Sequence, residues 1–240
     1  MSFKERLFKI KSVISDYSSR EIKILINLFV FVTAILVFTL LAKEVVQGDT
    51  QKLDELILNS LRNKDSIKVP IGPAWLTGLM TDITALGGAT IIFLITATVF
   101  FYLLIQKKYE FMWLIFTATI GGALLSFGLK ELFARERPPL VFHLLTVKSM
   151  SFPSGHAMIS SIVYLTQGAL LAKVQSNKNL RIYILLVAII LVFLIGISRV
   201  YLGVHYPTDV LAGWSIGLAW ASLCWLMAKY LQRKKESKAN

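Results

Sequence analysis

The chain has 240 residues and a formal net charge of +12. Its residues are 55% hydrophobic and only 17% charged. This is too apolar for a disordered chain and more apolar than an ordinary soluble domain, in which about a quarter of the residues are charged. The single cysteine, Cys224, excludes a disulfide framework and a thiolate zinc site. The composition therefore indicates a polytopic membrane protein.

Six apolar segments approach or exceed the roughly 20 residues that a spanning helix needs. The sequence predicts an all-α fold, a six-transmembrane-helix bundle, in which both termini lie on the same side. We expect a basic segment over 1–21, one spanning domain over 22–230 and a basic tail over 231–240. The predicted spans are 22–42, 84–105, 111–129, 156–172, 182–197 and 210–230.

The basic residues predict the orientation of the bundle. If both termini are cytoplasmic, most of the 26 Lys and Arg residues fall in cytoplasmic segments, as the positive-inside rule requires. We therefore attribute the positive charge to orientation, and expect membrane lipids rather than nucleic acid as partners. The loops after the first, third and fifth spans then face outward.

The first outward segment, over 43–82, has an amphipathic pattern. Leu53, Leu56, Ile57 and Leu61 fall on one helical face, with Asp54 in the first turn. The sequence predicts a short amphipathic helix at the outer surface, which ends before Pro70 and Pro73. We expect Asp82 to cap the second span.

Cationic side chains gather at the outer helix ends, where they are costly and therefore indicate function. Lys and Arg together with His, and few carboxylates, suit a phosphate or pyrophosphate ligand. The cluster comprises Lys130, Arg135, Arg137, Lys148, Arg199, His156 and His205.

Two helix starts carry the polar residues that such a ligand needs. We expect Ser154 to cap the fourth span and Gly155 to let an anion approach the backbone at the positive helix end. Asp209 follows His205 by four residues, a spacing that lets the carboxylate orient the imidazole. A His–Asp pair beside an anion site indicates a nucleophilic or basic histidine.

Three motifs in this order resemble those of the membrane type-2 phosphatidic acid phosphatase superfamily, which also includes soluble vanadium haloperoxidases. Each lies at the outer end of a predicted span, and the resemblance covers about residues 53–230. The matches are K-x6-R-P at Lys130 and Arg137-Pro138, P-S-G-H at residues 153–156, and S-R-x5-H-x3-D at Ser198-Arg199, His205 and Asp209.

The resemblance implies a role for each motif residue. His205 would be the nucleophile that forms a phosphohistidine, Asp209 would orient it, and His156 would protonate the leaving oxygen and then activate water. The phosphoryl oxygens would be bound by Lys130, Arg137, Ser154, Gly155 and Arg199. The family is metal-independent, so the resemblance implies no metal and no other cofactor.

The expected function is outward-facing hydrolysis of a lipid phosphate. The candidates are undecaprenyl pyrophosphate, phosphatidylglycerol phosphate, phosphatidate and diacylglycerol pyrophosphate, and we favour the first by analogy. The alternative is a lipid phosphotransferase that uses the same histidine with an acceptor other than water. A phosphate-lipid binding protein or flippase would not need His205, and no inverted repeat indicates a transporter.

The sequence indicates no part in the chemistry for two basic residues near the motifs. We expect Arg135 and Lys148 to be surface charges or contacts of lipid headgroups. The sequence leaves the oligomeric state open.

Overall fold

In a computed structural model, the chain is a bundle of long helices. The structure describes the backbone of residues 3–239 and the side chains of residues 21–230. The terminal segments expected to be basic and cytoplasmic fall almost wholly outside the residues with described side chains. Within 3–239 the helices are α1 (Phe3–Gln47), α2 (Gln51–Ser60), α3 (Ala74–Ala85), α4 (Ala89–Ile105), α5 (Tyr109–Phe133), α6 (Gly155–Val174), α7 (Lys178–Tyr201) and α8 (Pro207–Ala239).

The all-α membrane fold is confirmed, with one small hairpin added between α2 and α3. Helices α1, α5, α6, α7 and α8 each contain a stretch long and apolar enough to cross a membrane. The bent pair α3–α4 meets the same test as a unit, so that counting it as one span gives six. Most predicted spans are extended by a few residues at their ends.

The second span differs from the prediction of one helix that starts near residue 84. The chain bends by 44° between α3 and α4, because Leu86, Gly87 and Gly88 interrupt the helix. Gly88, not Asp82, is the N-cap of α4. Asp82 is exposed within the last turns of α3, so its predicted capping role is wrong.

Helix α2 confirms the predicted amphipathic helix but presents a different face. Its buried residues are Asp54 and Leu58, whereas Leu53 and Leu56 are 56% and 66% exposed. The amphipathic pattern identified the helix, but it gave no sign that Asp54 is buried while these two leucines are exposed. The buried carboxylate has partners that the local pattern does not reveal.

The unpredicted hairpin anchors the segment between α2 and α3 to the bundle. Strands β1 (Arg62–Asn63) and β2 (Ser66–Pro70) pair antiparallel. The buried Arg62 donates hydrogen bonds to the carbonyls of Tyr201 (3.0 Å) and Phe142 (2.8 Å). The hairpin is thereby fastened to the C-terminal end of α7 and to the loop that follows α5.

Two glycines spaced by four residues bring α8 close to α6. A Cβ on Gly213 would lie 2.7 Å from the Ser154 carbonyl oxygen, and one on Gly217 would lie 2.6 Å from that of Met158. Such contacts are too short for any side chain, so glycine is required at both positions. This close packing places the N-terminal ends of α6 and α8 side by side.

Candidate active site

The three motifs meet at one end of the bundle. Since α5 and α7 end where α6 and α8 begin, residues from all four helices lie at the same level. The N–H of Ser154, just before α6, donates to the Asp209 carbonyl in α8 (2.9 Å). Arg137, in the loop after α5, contacts His205. The structure thus brings together all eight residues that the sequence singled out for the site.

His205 and Asp209 form a buried pair. The Nδ1 atom of His205 lies 3.3 Å from Oδ2 of Asp209. The same oxygen accepts hydrogen bonds from the Tyr206 N–H (2.9 Å) and from the Ser151 hydroxyl. Because Asp209 is an acceptor, Nδ1 carries the proton and the lone pair of Nε2 points away from the carboxylate. That Nε2 atom lies 3.1 Å from Nη1 of Arg137.

The surroundings of His205 favour a neutral imidazole. Burial, and then the positive charges of Arg137, Arg199 and Lys130, hold the pKa of His205 well below its ordinary value. A neutral ring with an unprotonated Nε2 beside an arginine is suited to attack an anion that draws the arginine to itself.

Lys130, Arg137 and Arg199 surround this histidine without carboxylate partners of their own. Within residues 21–230, Lys130 donates to the Met150 carbonyl, and Arg137 donates to the carbonyls of Ser149 (2.6 Å) and Val204. Arg199 donates to the Thr84 hydroxyl at 2.9 Å. Three uncompensated cations in one place create a strong field for an anion.

Two buried polar atoms of the site have no hydrogen-bond partner in the part of the chain whose side chains are described, residues 21–230. They are Oγ of Ser154 and Nε of Arg199, in side chains that are 0% and 3% exposed. Ser154 occupies the N-cap position of α6, but its side chain makes no capping bond, so that detail of the prediction is wrong. A buried donor without an acceptor is unfavourable, and a bound anion would supply the acceptor.

Arg135 is not the surface charge that we expected. Its side chain is only 12% exposed, and its guanidinium bridges Oδ1 of Asp209 (2.6 Å) and Oδ2 of Asp54 (2.8 Å). The interpretation as a contact of lipid headgroups is therefore wrong: both carboxylates are fully buried and need the cation. Lys148, in contrast, is exposed as expected.

Comparison with known proteins agrees with this arrangement. The family model of the PAP2 superfamily matches residues 110–233, which contain all three motifs. The chain belongs to the PAP2 superfamily.

Individual relatives of this PAP2 protein are phosphatases by name. Phosphatidylglycerophosphatase B of Bacillus subtilis (strain 168) is 38% identical over 199 residues, which are 78% of this chain and 89% of that protein. Undecaprenyl-diphosphatase of Sulfolobus acidocaldarius is 43% identical over 72 residues, 30% of each chain. The chain is accordingly a membrane phosphatase.

Solved structures share the fold. The transmembrane PAP2-type phosphatidylglycerolphosphate phosphatase of Bacillus subtilis superposes with a TM-score of 0.74 at 32% identity, over 85% of this chain and 96% of that one. LpxE of Aquifex aeolicus superposes with a TM-score of 0.53 at 24% identity, over 73% of this chain and 93% of that one, which shows a shared fold alone.

A mostly apolar groove reaches the candidate site from the side. It has a volume of about 570 Å³, lies among α4, α5 and α6, and is lined by Phe93, Phe100 and Ile159 together with His156. Gly87 faces His156, since a Cβ there would lie 3.3 Å from the imidazole Cδ2 atom. The groove therefore joins the hydrophobic flank of the bundle to the predicted acid–base residue.

Three residues of the site were missed in the sequence: Asp54, Ser151 and Thr84. The sequence analysis interpreted Asp54 as a favourable charge in the first turn of α2. Asp54 precedes Leu58 by four residues and so shares its helical face, which was a usable signal that the carboxylate is buried. Ser151 and Thr84 gave no signal, because their contacts with Asp209 and Arg199 join residues 58 and 115 positions apart.

Proposed function

We propose that this PAP2 phosphatase removes a phosphate group from a membrane lipid through a phosphohistidine on His205. The observation that carries the proposal is the unprotonated Nε2 atom of His205, which accepts a hydrogen bond from Arg137 at 3.1 Å, so that it lies beside a group able to bind the phosphate it would attack. A nucleophile and the groups that bind its target are thereby brought together by separate helices.

The first step forms the covalent intermediate. Nε2 of His205 attacks phosphorus, and the bond between phosphorus and the leaving oxygen breaks. The imidazole gains positive charge, which the Asp209 carboxylate at Nδ1 stabilises. His156 gives its proton to the leaving oxygen. Where the leaving group is an alcohol, the dephosphorylated lipid therefore departs with a neutral hydroxyl.

The second step returns the enzyme to its starting state. A water molecule attacks phosphorus, His156 takes the proton from that water, and the bond between nitrogen and phosphorus breaks. Inorganic phosphate leaves, and one water molecule is consumed for each lipid phosphate hydrolysed.

The five proposed phosphate-binding residues stabilise the charge that is transferred. Lys130, Arg137 and Arg199 supply cations, Gly155 supplies a backbone N–H at the start of α6, and Ser154 supplies a hydroxyl. The unpaired Oγ of Ser154 and Nε of Arg199 support this assignment, since a phosphoryl oxygen would satisfy both. In this mechanism these residues neutralise the charge of the phosphoryl group without a metal ion.

The apolar groove supports a lipid as the substrate. A hydrocarbon tail in the groove among α4, α5 and α6 would leave its phosphate beside His156. Phosphatidylglycerol phosphate is the first candidate, because a relative named for that activity matches most of the chain. Undecaprenyl diphosphate is the second candidate, since the relative named for it matches only 30% of the length of this chain.

We also propose that the site faces outward and that both termini are cytoplasmic. Counting the bent pair α3–α4 as one span gives six, and an even number of spans supports termini on one side of the membrane, opposite the site. The distribution of Lys and Arg supports the cytoplasmic assignment of those ends.

Phosphate release from defined lipids tests the proposed function. Purified protein in detergent with EDTA is given phosphatidylglycerol phosphate, undecaprenyl diphosphate and phosphatidate in parallel. We expect release that is lost in His205→Ala and retained in His143→Ala, a matched change of an imidazole whose ring nitrogen bonds to the Pro138 carbonyl and not to a group of the proposed site. Consumption of lipid without phosphate release would favour the phosphotransferase, and release that survives His205→Ala would contradict the proposal.

A further inference from the structure

We propose that Asp54 and Arg135 are positioning residues, which hold the Asp209 carboxylate in the orientation and charge state that His205 requires. The proposal rests on the proposed function of His205. Its geometric basis is a buried triad, Asp54–Arg135–Asp209, which links the amphipathic helix α2 to the first turn of α8.

The two oxygens of Asp209 have different partners. Oδ1 accepts from Nη1 of Arg135 at 2.6 Å, while Oδ2 faces Nδ1 of His205. Rotation of the carboxylate would break the bond with Arg135, so Arg135 fixes the oxygen that the imidazole meets. The guanidinium is itself held 4.3 Å above the Tyr206 ring.

Asp54 fixes the other side of this arrangement. Its Oδ2 accepts from Nη2 of Arg135 at 2.8 Å and from the Thr208 hydroxyl at 2.6 Å, and its Oδ1 accepts from the Thr208 N–H at 3.1 Å. A carboxylate from α2 thus caps the first turn of α8, the turn that carries Asp209. The side chain of Asp54 is 0% exposed, so these hydrogen bonds take the place of water at its carboxylate.

The charges of the triad explain how Asp209 can pair with Arg135 and still stabilise a positive charge on His205. One cation shared between two carboxylates leaves a net charge of −1. That charge remains available to stabilise an imidazolium at His205. With Asp54 neutral, Arg135 would be compensated by Asp209 alone, and Asp209 would attract the Nδ1 proton less strongly.

The kinetic test replaces Asp54 with asparagine, which keeps the shape and removes the charge. We expect Asp54→Asn to lower kcat about 10- to 100-fold, the range typical of residues that orient a reacting group. KM should change less than about threefold, since Lys130, Arg137 and Arg199 are untouched. The matched control is Glu55→Gln, the same type of change at the next, exposed position of α2, and it should leave kcat unchanged.

A second variant covers the case in which Asp54→Asn does not fold. Arg135→Lys keeps the positive charge but cannot bridge two carboxylates with a planar fork, and it should give the same loss of kcat. A kcat close to that of the wild type in either folded variant would overturn the proposal. So would a rise in KM at constant kcat, since that would place Arg135 against the substrate.

A spectroscopic measurement separates this proposal from the proposed function. In protein labelled with ¹⁵N-histidine, the His205 Nδ1–H resonance should shift in Asp54→Asn and stay in place in Glu55→Gln, whether or not any lipid is hydrolysed. An unshifted resonance in folded Asp54→Asn would overturn the positioning role. A shifted resonance together with an unmodified protein that hydrolyses no lipid phosphate would count against the proposed function alone.

Discussion

Ser154 has a buried hydroxyl beside the proposed phosphate site, and this hydroxyl has no hydrogen-bond partner among residues 21–230. Six residues further along the same helix, Ser160 is equally buried but donates to the Ala157 carbonyl at 3.1 Å. The Ser160 hydroxyl therefore makes a hydrogen bond within the fold, whereas in our proposal the Ser154 hydroxyl makes its hydrogen bond to a bound anion. That difference makes them a matched pair for substitution.

We predict opposite effects for the two alanine substitutions. Ser154→Ala should lower kcat/KM about 10²-fold, as loss of one donor to a transition-state oxyanion does, without loss of thermal stability. Ser160→Ala should lower stability by about 1 kcal/mol through its lost hydrogen bond and leave kcat/KM unchanged. Initial rates and thermal unfolding of the purified variants check both, and a Ser154→Ala protein that is fully active would remove Ser154 from the phosphate site.

The motif residues could be predicted from the sequence because each motif is local. The pairing of His205 with Asp209 follows from their spacing of four residues, and the structure gives 3.3 Å between them. Arg135 could not be placed in this way. Its two partners are 74 and 81 residues away, and only tertiary packing brings a buried carboxylate of α2 to it.

At the scale of elements, apolar length predicted the long helices, and small residues decide how closely they pack. Gly213 and Gly217 let α8 approach α6, a signal that was present in the sequence as G-x-x-x-G. The break between α3 and α4 at Gly87 and Gly88 was hidden, because the apolar run continues through it. The hairpin was also hidden, because β1 has only two residues and its Arg62 bonds to Tyr201, which is 139 residues away in the sequence.

The packing of α8 on α6 can be tested with a single methyl group. Gly217→Ala places a Cβ 2.6 Å from the Met158 carbonyl oxygen, so α6 and α8 must separate. We expect a loss of about 1–3 kcal/mol, as for other overpacked positions, together with reduced activity. Thermal unfolding and initial rates are the measurements.

The matched control lies in α5, where a Cβ on Gly128 meets nothing within 4 Å. Gly128→Ala should leave activity unchanged and raise stability by up to about 1 kcal/mol, since alanine is the better helix former. If Gly217→Ala is as stable and active as Gly128→Ala, close packing does not position the two helix ends.

For the whole molecule, the site and the outer hairpin lie at one end of the bundle, and the turn between α6 and α7 lies at the other. The orientation in the membrane can be measured with cysteine labelling, because Cys224 is the only cysteine of the chain. In a Cys224→Ala background, Lys64→Cys marks the hairpin and Ser176→Cys marks the opposite turn, and both positions are exposed.

With a membrane-impermeant maleimide on intact cells, we predict labelling at position 64 and none at position 176. After the cells are permeabilised, both should react. This pattern follows from the positive-inside distribution of Lys and Arg. Labelling of position 176 alone in intact cells would reverse the orientation and place the site in the cytoplasm.

The most direct test of the central claim is to trap the phosphorylated enzyme. Purified protein is mixed with a lipid substrate carrying ³²P in the phosphate that leaves, quenched in alkali within milliseconds, and digested for mapping. A phosphohistidine is stable in alkali and labile in acid, unlike a phosphoserine. We predict acid-labile label on the peptide that contains His205, and none in His205→Ala. Label on another residue, or turnover of the lipid with no trapped label at any quench time, would contradict the account.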